Sequence, residues 1–158
     1  MGTGVRRYTG QAIDVTYDAG RCIHAAECVR GLPAAFDTAR RPWILPDAAG
    51  ADEVAAVVAR CPSGALRAIR RDGGAEEVPP ALPTVRVTPD GPLAIHGRAR
   101  VLRADGATLA EDTRLTLCRC GQSRNKPYCD NSHRAAGFAD GGDIAGFLKV
   151  GPDGMHDL

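Results

Sequence analysis

Aromatic residues are scarce in this sequence: three Phe, three Tyr and one Trp among 158 residues. Alongside 19 Gly and 11 Pro they leave little for a hydrophobic core, so small domains built from this chain need a cross-link beyond apolar packing. Charge of one sign is missing as well. Twenty Lys and Arg against 19 Asp and Glu give a formal net charge of +1, which supplies no electrostatic reason to bind nucleic acid or an anionic membrane. No stretch approaches the roughly eighteen apolar residues of a membrane span, and the opening Met1-Gly-Thr-Gly-Val-Arg-Arg-Tyr8 lacks the apolar region of an export signal. Arg6 stands where a myristoylation signal needs Ser or Thr after Gly2. A cytoplasmic protein is expected. Also lacking are a nucleophile beside a base, a phosphate loop and paired acid-base carboxylates, so the chain reads as a carrier rather than an enzyme.

What the sequence does have is six Cys and four His. In a reducing compartment thiols stay free for metals, which makes ligation a better reading of an even cysteine count than disulfides.

Alternation of apolar and polar residues predicts a strand over 12–18, leading into Cys22. A short helix is expected over 25–31, a turn over 33–36, a proline-bracketed strand over 42–46 and a loop over 47–51. Asp52-Glu-Val-Ala-Ala-Val-Val-Ala-Arg60 has an amphipathic helix pattern, with acids at its positive end and Arg60 at its negative end, and it delivers Cys61. A closing strand over 65–70 completes a first domain, residues 8–71. Residues 72–83, rich in Gly, Pro and acid, read as an exposed linker. The second domain, 84–158, shows strand patterns over 84–88, 93–96, 99–103 and 113–117. The expected class is α+β, a small mixed domain followed by a small β-rich one.

The densest chemistry is Cys118-Arg-Cys120-Gly-Gln-Ser123-Arg-Asn-Lys-Pro127-Tyr-Cys129-Asp130-Asn131-Ser132-His133, three thiols and an imidazole within sixteen residues. Cys118 and Cys120, one residue apart, can reach one iron; Cys129 and His133, four apart, converge where a helix begins. Asp130 is the expected N-cap of that helix. These residues resemble the CDGSH iron-sulfur proteins at every ligand position, with Asn131 replacing the Gly of that pattern; Asn also accepts positive φ. The resemblance covers residues 84–138. It implies a 2Fe-2S cluster held by Cys118, Cys120, Cys129 and His133, with the histidine near the surface. A structural zinc site is the alternative for three Cys and one His, though zinc pairs are commonly two to four residues apart.

The second constellation is Cys22-Ile-His24-Ala25-Ala-Glu-Cys28, then 32 residues, then Cys61-Pro62. Bacterial cluster motifs run Cys, two residues, Cys, two residues, Cys, with a distant Cys-Pro. Over residues 12–69 the chain resembles a single-cluster bacterial ferredoxin, with Ala25 at the middle ligand position. Three thiolates cannot cap four irons, so the resemblance implies a 3Fe-4S cluster, or a 4Fe-4S cluster whose fourth iron takes His24, water or a partner group. Free Cys are often buried hydrophobes, but the Cys61-Pro62 context favours ligation.

The Arg40-Arg41 and Arg70-Arg71 pairs read as solvated faces, His96 and His156 as surface imidazoles, Trp43 as core and Tyr128 as a shield beside Cys129. The expected function is one-electron transfer to a redox partner protein, by a monomer or homodimer. Two rivals stand beside it. One is storage or transfer of the His133-ligated cluster to an apo-acceptor, or redox sensing through it; the other is a zinc-stabilised interaction module.

Overall fold

The computed structural model describes residues 4–142. Two three-stranded antiparallel sheets follow one another along the chain. The first has the order β1 (Arg6–Tyr8), β2 (Ile13–Tyr17), β3 (Leu66–Arg70), so the two strands that flank the thiol-bearing segment lie side by side. Ile13 pairs with Arg70 and Tyr17 with Leu66. Between them come α1 (Glu27–Gly31) and α2 (Ala51–Ala59). Glu53 in the first turn of α2 accepts from the Gly50 N–H at 3.0 Å, satisfying one amide at the helix entry.

Val54, Val57 and Val58 of α2 pack onto Ile13, Val15, Phe36, Ile44 and Leu66, all buried. Trp43 stands edge-on to Tyr17 at 4.9 Å between ring centroids, against this core as expected. Asp14 on the central strand is also fully buried. It accepts from Arg7 and from the Gly10 N–H, at 2.9 and 3.0 Å, so the buried carboxylate is paired rather than orphaned.

The second sheet runs β4 (Thr84–Val87), β5 (Leu93–Leu102), β6 (Thr108–Leu117), and α3 (Ser132–Ala135) follows it. Among the described residues this half buries little apolar surface, chiefly the side chains of Leu115 and Cys129.

Several expectations need correction. Residues 42–46 form no strand; Ile44 makes one isolated bridge to Phe36, because the flanking prolines cannot extend a ladder. Residues 47–51 are not all loop, since Pro46–Ala48 forms a 3-10 turn and α2 starts at Ala51. The two strands expected over 93–103 are one, with a pairing irregularity between His96 and Ala99, and β6 starts at Thr108 rather than 113. Arg70 does not face solvent. Its side chain is 7 % exposed and pairs with Asp52 and Asp72 at 2.6 and 2.7 Å. His96 is exposed, and His156 lies outside the described residues.

Candidate metal centres

The first group of thiols is assembled by a loop, a helix and a helix end. Cys22 follows a 3-10 turn at Ala19–Arg21, Cys28 sits in α1, and Cys61 comes just past the end of α2. All three are free thiols, half-buried, and they line one cavity together with His24 and Ala25. His24 and Ala26 both have positive φ, 53° and 62°, costly for residues with a Cβ and characteristic of a segment held around something. His24 is exposed, its Nδ1 4.0 Å from Cys22 Sγ. Ala25, at the position where a ferredoxin carries its middle ligand, borders the cavity but offers no donor. Glu27, also lining it, pairs with Arg30 at 3.1 Å. The free donors are thus soft sulfur and imidazole, which suits an iron-sulfur group rather than an oxygen-seeking cation. Burial pushes the Cys28 thiol up, and the neighbouring Cys61 and Cys22 add to the rise; positive iron held there would offset that repulsion.

The second group sits where β6 ends and α3 begins. Cys118 Sγ lies 3.8 Å from Cys120 Sγ, and Cys129 Sγ 3.6 Å from His133 Nδ1. Main-chain N–H groups point at the sulfurs: Gln122 to Cys120 and Asn131 to Cys129, each at 3.4 Å. Burial alone would raise the Cys118 thiol, but the N–H groups of Ser123 and Gly121, the Cys120 thiol and Lys126 lower it overall. The N-cap of α3 is Asn131, at φ 69°, rather than Asp130. Asn131 thus adopts the conformation that its Gly replacement requires. Asp130 instead accepts from the N–H groups of Ser132 and Arg124, at 3.0 and 2.9 Å. The Ser132 hydroxyl, with those amides, outweighs partial burial and holds its carboxyl down at about 2. His133 differs from the surface histidine expected: it is only 9 % exposed.

That junction carries residues that sequence reasoning passed over. Arg114 of β6 reaches into the first half and donates to the carbonyls of Val58, Cys61 and Leu66, at 2.8, 2.6 and 3.0 Å. Its Nε and Nη2 also donate to the two carboxylate oxygens of Glu77, each at 2.8 Å, which anchors the segment expected as a free linker. Arg21 donates to Asp112, to the Ser63 carbonyl and to the Arg114 carbonyl. Gly64 makes the approach possible: at φ 66°, any Cβ there would stand 2.5 Å from the Arg114 carbonyl oxygen. Asn125 and Asn131 donate to the carbonyls of Gly20 and Ile23, at 2.6 and 2.8 Å. Tyr128 is half-buried beneath the Arg21 guanidinium, 5.4 Å from its ring centroid. No signal marked Arg114 in advance: it holds a polar position in the alternation over 113–117, where an arginine reads as solvent-facing, yet residues 114–116 are all buried. Asn131 did carry one, its departure from Gly.

Donor sets dominated by thiols suit iron-sulfur groups, and comparison with known families agrees. Residues 8–71 match the family model described as divergent 4Fe-4S mono-cluster, and residues 90–134 match the one described as iron-binding zinc finger CDGSH type. The chain belongs to the divergent 4Fe-4S mono-cluster family through its first half and carries a CDGSH-type segment in its second. The cofactors of these families are a 4Fe-4S-type cluster for the first part and a 2Fe-2S cluster for the CDGSH part. Its relatives include the uncharacterized protein YjdI of Escherichia coli strain K12, 45 % identical over 64 residues, 40 % of this chain and 84 % of that protein. YjdI of Escherichia coli O157:H7 matches with the same figures. No solved structure matches the chain. Among the described residues, no helix is long and apolar enough to cross a membrane.

Proposed function

We infer that this chain is a cytoplasmic two-cluster redox protein, a carrier of single electrons rather than a catalyst. It divides into a ferredoxin-like domain at 8–71, a tether at 72–83 and a CDGSH-type domain at 84–158. Cys22, Cys28 and Cys61 hold the first cluster, as 3Fe-4S or as 4Fe-4S with the fourth iron on His24, water or a partner group. Cys118, Cys120, Cys129 and His133 hold a 2Fe-2S cluster. The observation that carries this reading is the grouping of the donors: three thiols around one cavity, and two close pairs at 3.8 and 3.6 Å in the second loop. Two pairs suit two irons better than one zinc.

Imidazole in place of thiolate raises a cluster's potential, so the second cluster is the more oxidising of the two. A potentiometric titration of the full chain, followed in the visible band, is expected to resolve two one-electron steps. In His133→Cys the more positive step moves to lower potential, because a neutral ligand has become a negative one. A single step, or a more positive step unmoved by His133→Cys, would contradict the reading.

Cluster donation is the second reading. It is favoured by an open cavity of about 720 Å³ that borders Ala25, Asn131 and His133, so the second loop is reachable by an acceptor's side chain. The near-burial of His133 favours retention instead. Transfer of iron to an apo-ferredoxin faster than electron transfer to the holo form would decide for donation.

A further inference from the structure

We propose that Asn131 is the electron bridge between the two clusters, bonded through its side chain to the loop of one and through its main chain to a thiol of the other. The inference rests on the two-cluster reading above. Asn131 Nδ2 donates to the Ile23 carbonyl at 2.8 Å, and Ile23 directly follows Cys22. The Asn131 main-chain N–H donates to Cys129 Sγ at 3.4 Å. From Cys22 to Cys129 the route therefore runs through covalent bonds and two hydrogen bonds, with no wider gap.

Glycine at this position would keep the positive φ and the N–H to Cys129, but no side chain would reach Ile23. The departure from the CDGSH pattern thus adds one connection, and that connection leads to the other ligand loop. The neighbouring contact from Asn125 to Gly20 docks the same loops but reaches the thiols only by a longer way, through Arg21 on one side and the Tyr128 N–H on the Asn125 carbonyl on the other.

In the step itself a reduced flavin, or another low-potential one-electron donor, reduces the first cluster. That cluster then loses one electron and the second gains it, one ferric iron becoming ferrous. No bond breaks and no proton moves. The direction follows from the higher potential that imidazole ligation gives the acceptor.

The test uses the full chain with both clusters loaded and a photoreduced flavin supplying less than one electron per chain. Arrival of the electron at the second cluster is followed by absorption. Asn131→Gly is expected to keep its iron, its sulfide and the magnetic interaction between the reduced clusters, while internal transfer slows about tenfold or more, as for other outer-shell partners. Asn125→Ala is expected to transfer at the wild-type rate. Equal rates in wild type and Asn131→Gly overturn the bridge. So does equal slowing in both variants, or a changed magnetic interaction in Asn131→Gly, since either means docking rather than conduction. If Asn131→Gly fails to load its second cluster, Asn131→Asp, which tolerates the same φ but lacks the donor, takes its place at matched driving force. A wild-type chain that loads one cluster overturns the two-cluster reading and the bridge with it. Two loaded clusters without internal transfer overturn the bridge alone.

Discussion

Ala25 is the residue at which the first site departs from a complete ferredoxin set. It borders the same cavity as Cys22, Cys28 and Cys61, so a sulfur added to its Cβ enters the space that those thiols already enclose. Ala25→Cys is therefore expected to bring the first cluster from three irons to about four, or to fix an existing fourth iron, with loss of any paramagnetic signal from the oxidised protein. Iron analysis and resonance spectra before and after the substitution check this. An unchanged cluster would mean that another group already holds that vertex. The ligand-type residues themselves were legible in the sequence, because thiols and imidazoles at fixed spacings have few other uses. The burial of His133 was not, because a lone imidazole in a turn-rich segment carries no periodic pattern that marks it as interior.

At the scale of elements, the first sheet depends on a buried charge. Asp14 on the central strand is held below the usual carboxylate range chiefly by its hydrogen bond from Arg7, helped by the Gly10 N–H and by Arg71, against the opposing effect of burial. Asp72, beside Arg70 at the end of the same sheet, is held at about 2, chiefly by its hydrogen bond from Arg70. A carboxyl with a lowered folded value stabilises the fold fully above its unfolded value, and that contribution is lost as pH falls through the folded one. Asp14→Asn is thus expected to lower the midpoint of denaturant unfolding, read by Trp43 fluorescence, at pH 7. The difference from wild type shrinks as pH falls through the carboxylate range. A difference independent of pH would contradict the role given to that charge.

The elements around this charge were largely readable. Alternation located β2 and β3, and the spacing of Val54, Val57 and Val58 located α2, since each periodicity has one physical solution. The proline-bracketed segment at 42–46 misled because apolar composition alone does not supply a pairing partner. The second sheet was cut too short because its outer strands are exposed and polar, so β6 over 108–112 carries no apolar signal.

At the scale of the whole molecule, the two halves are joined, among the described residues, by polar contacts rather than a shared hydrophobic core. Arg114, with 3 % of its side chain exposed, satisfies three carbonyls of the first half and pairs with Glu77, so its loss leaves several buried groups unpartnered. Arg114→Met is expected to destabilise the protein by about 3 kcal/mol, the scale for breaking a buried ion pair. It is also expected to open residues 72–83 to proteolysis; an unchanged melt and digestion pattern would contradict this. Long-range polar docking of this kind has no periodicity, which is why the sequence indicated two modules but not how they meet.

The central claim is that one chain holds two iron-sulfur clusters, and the most direct test is iron and acid-labile sulfide per chain in anaerobically purified protein. The account predicts about six sulfides with about five or six irons, according to whether the first cluster has three irons or four. Two irons and two sulfides per chain, with Cys22, Cys28 and Cys61 all open to alkylation, would contradict it, as would zinc without sulfide.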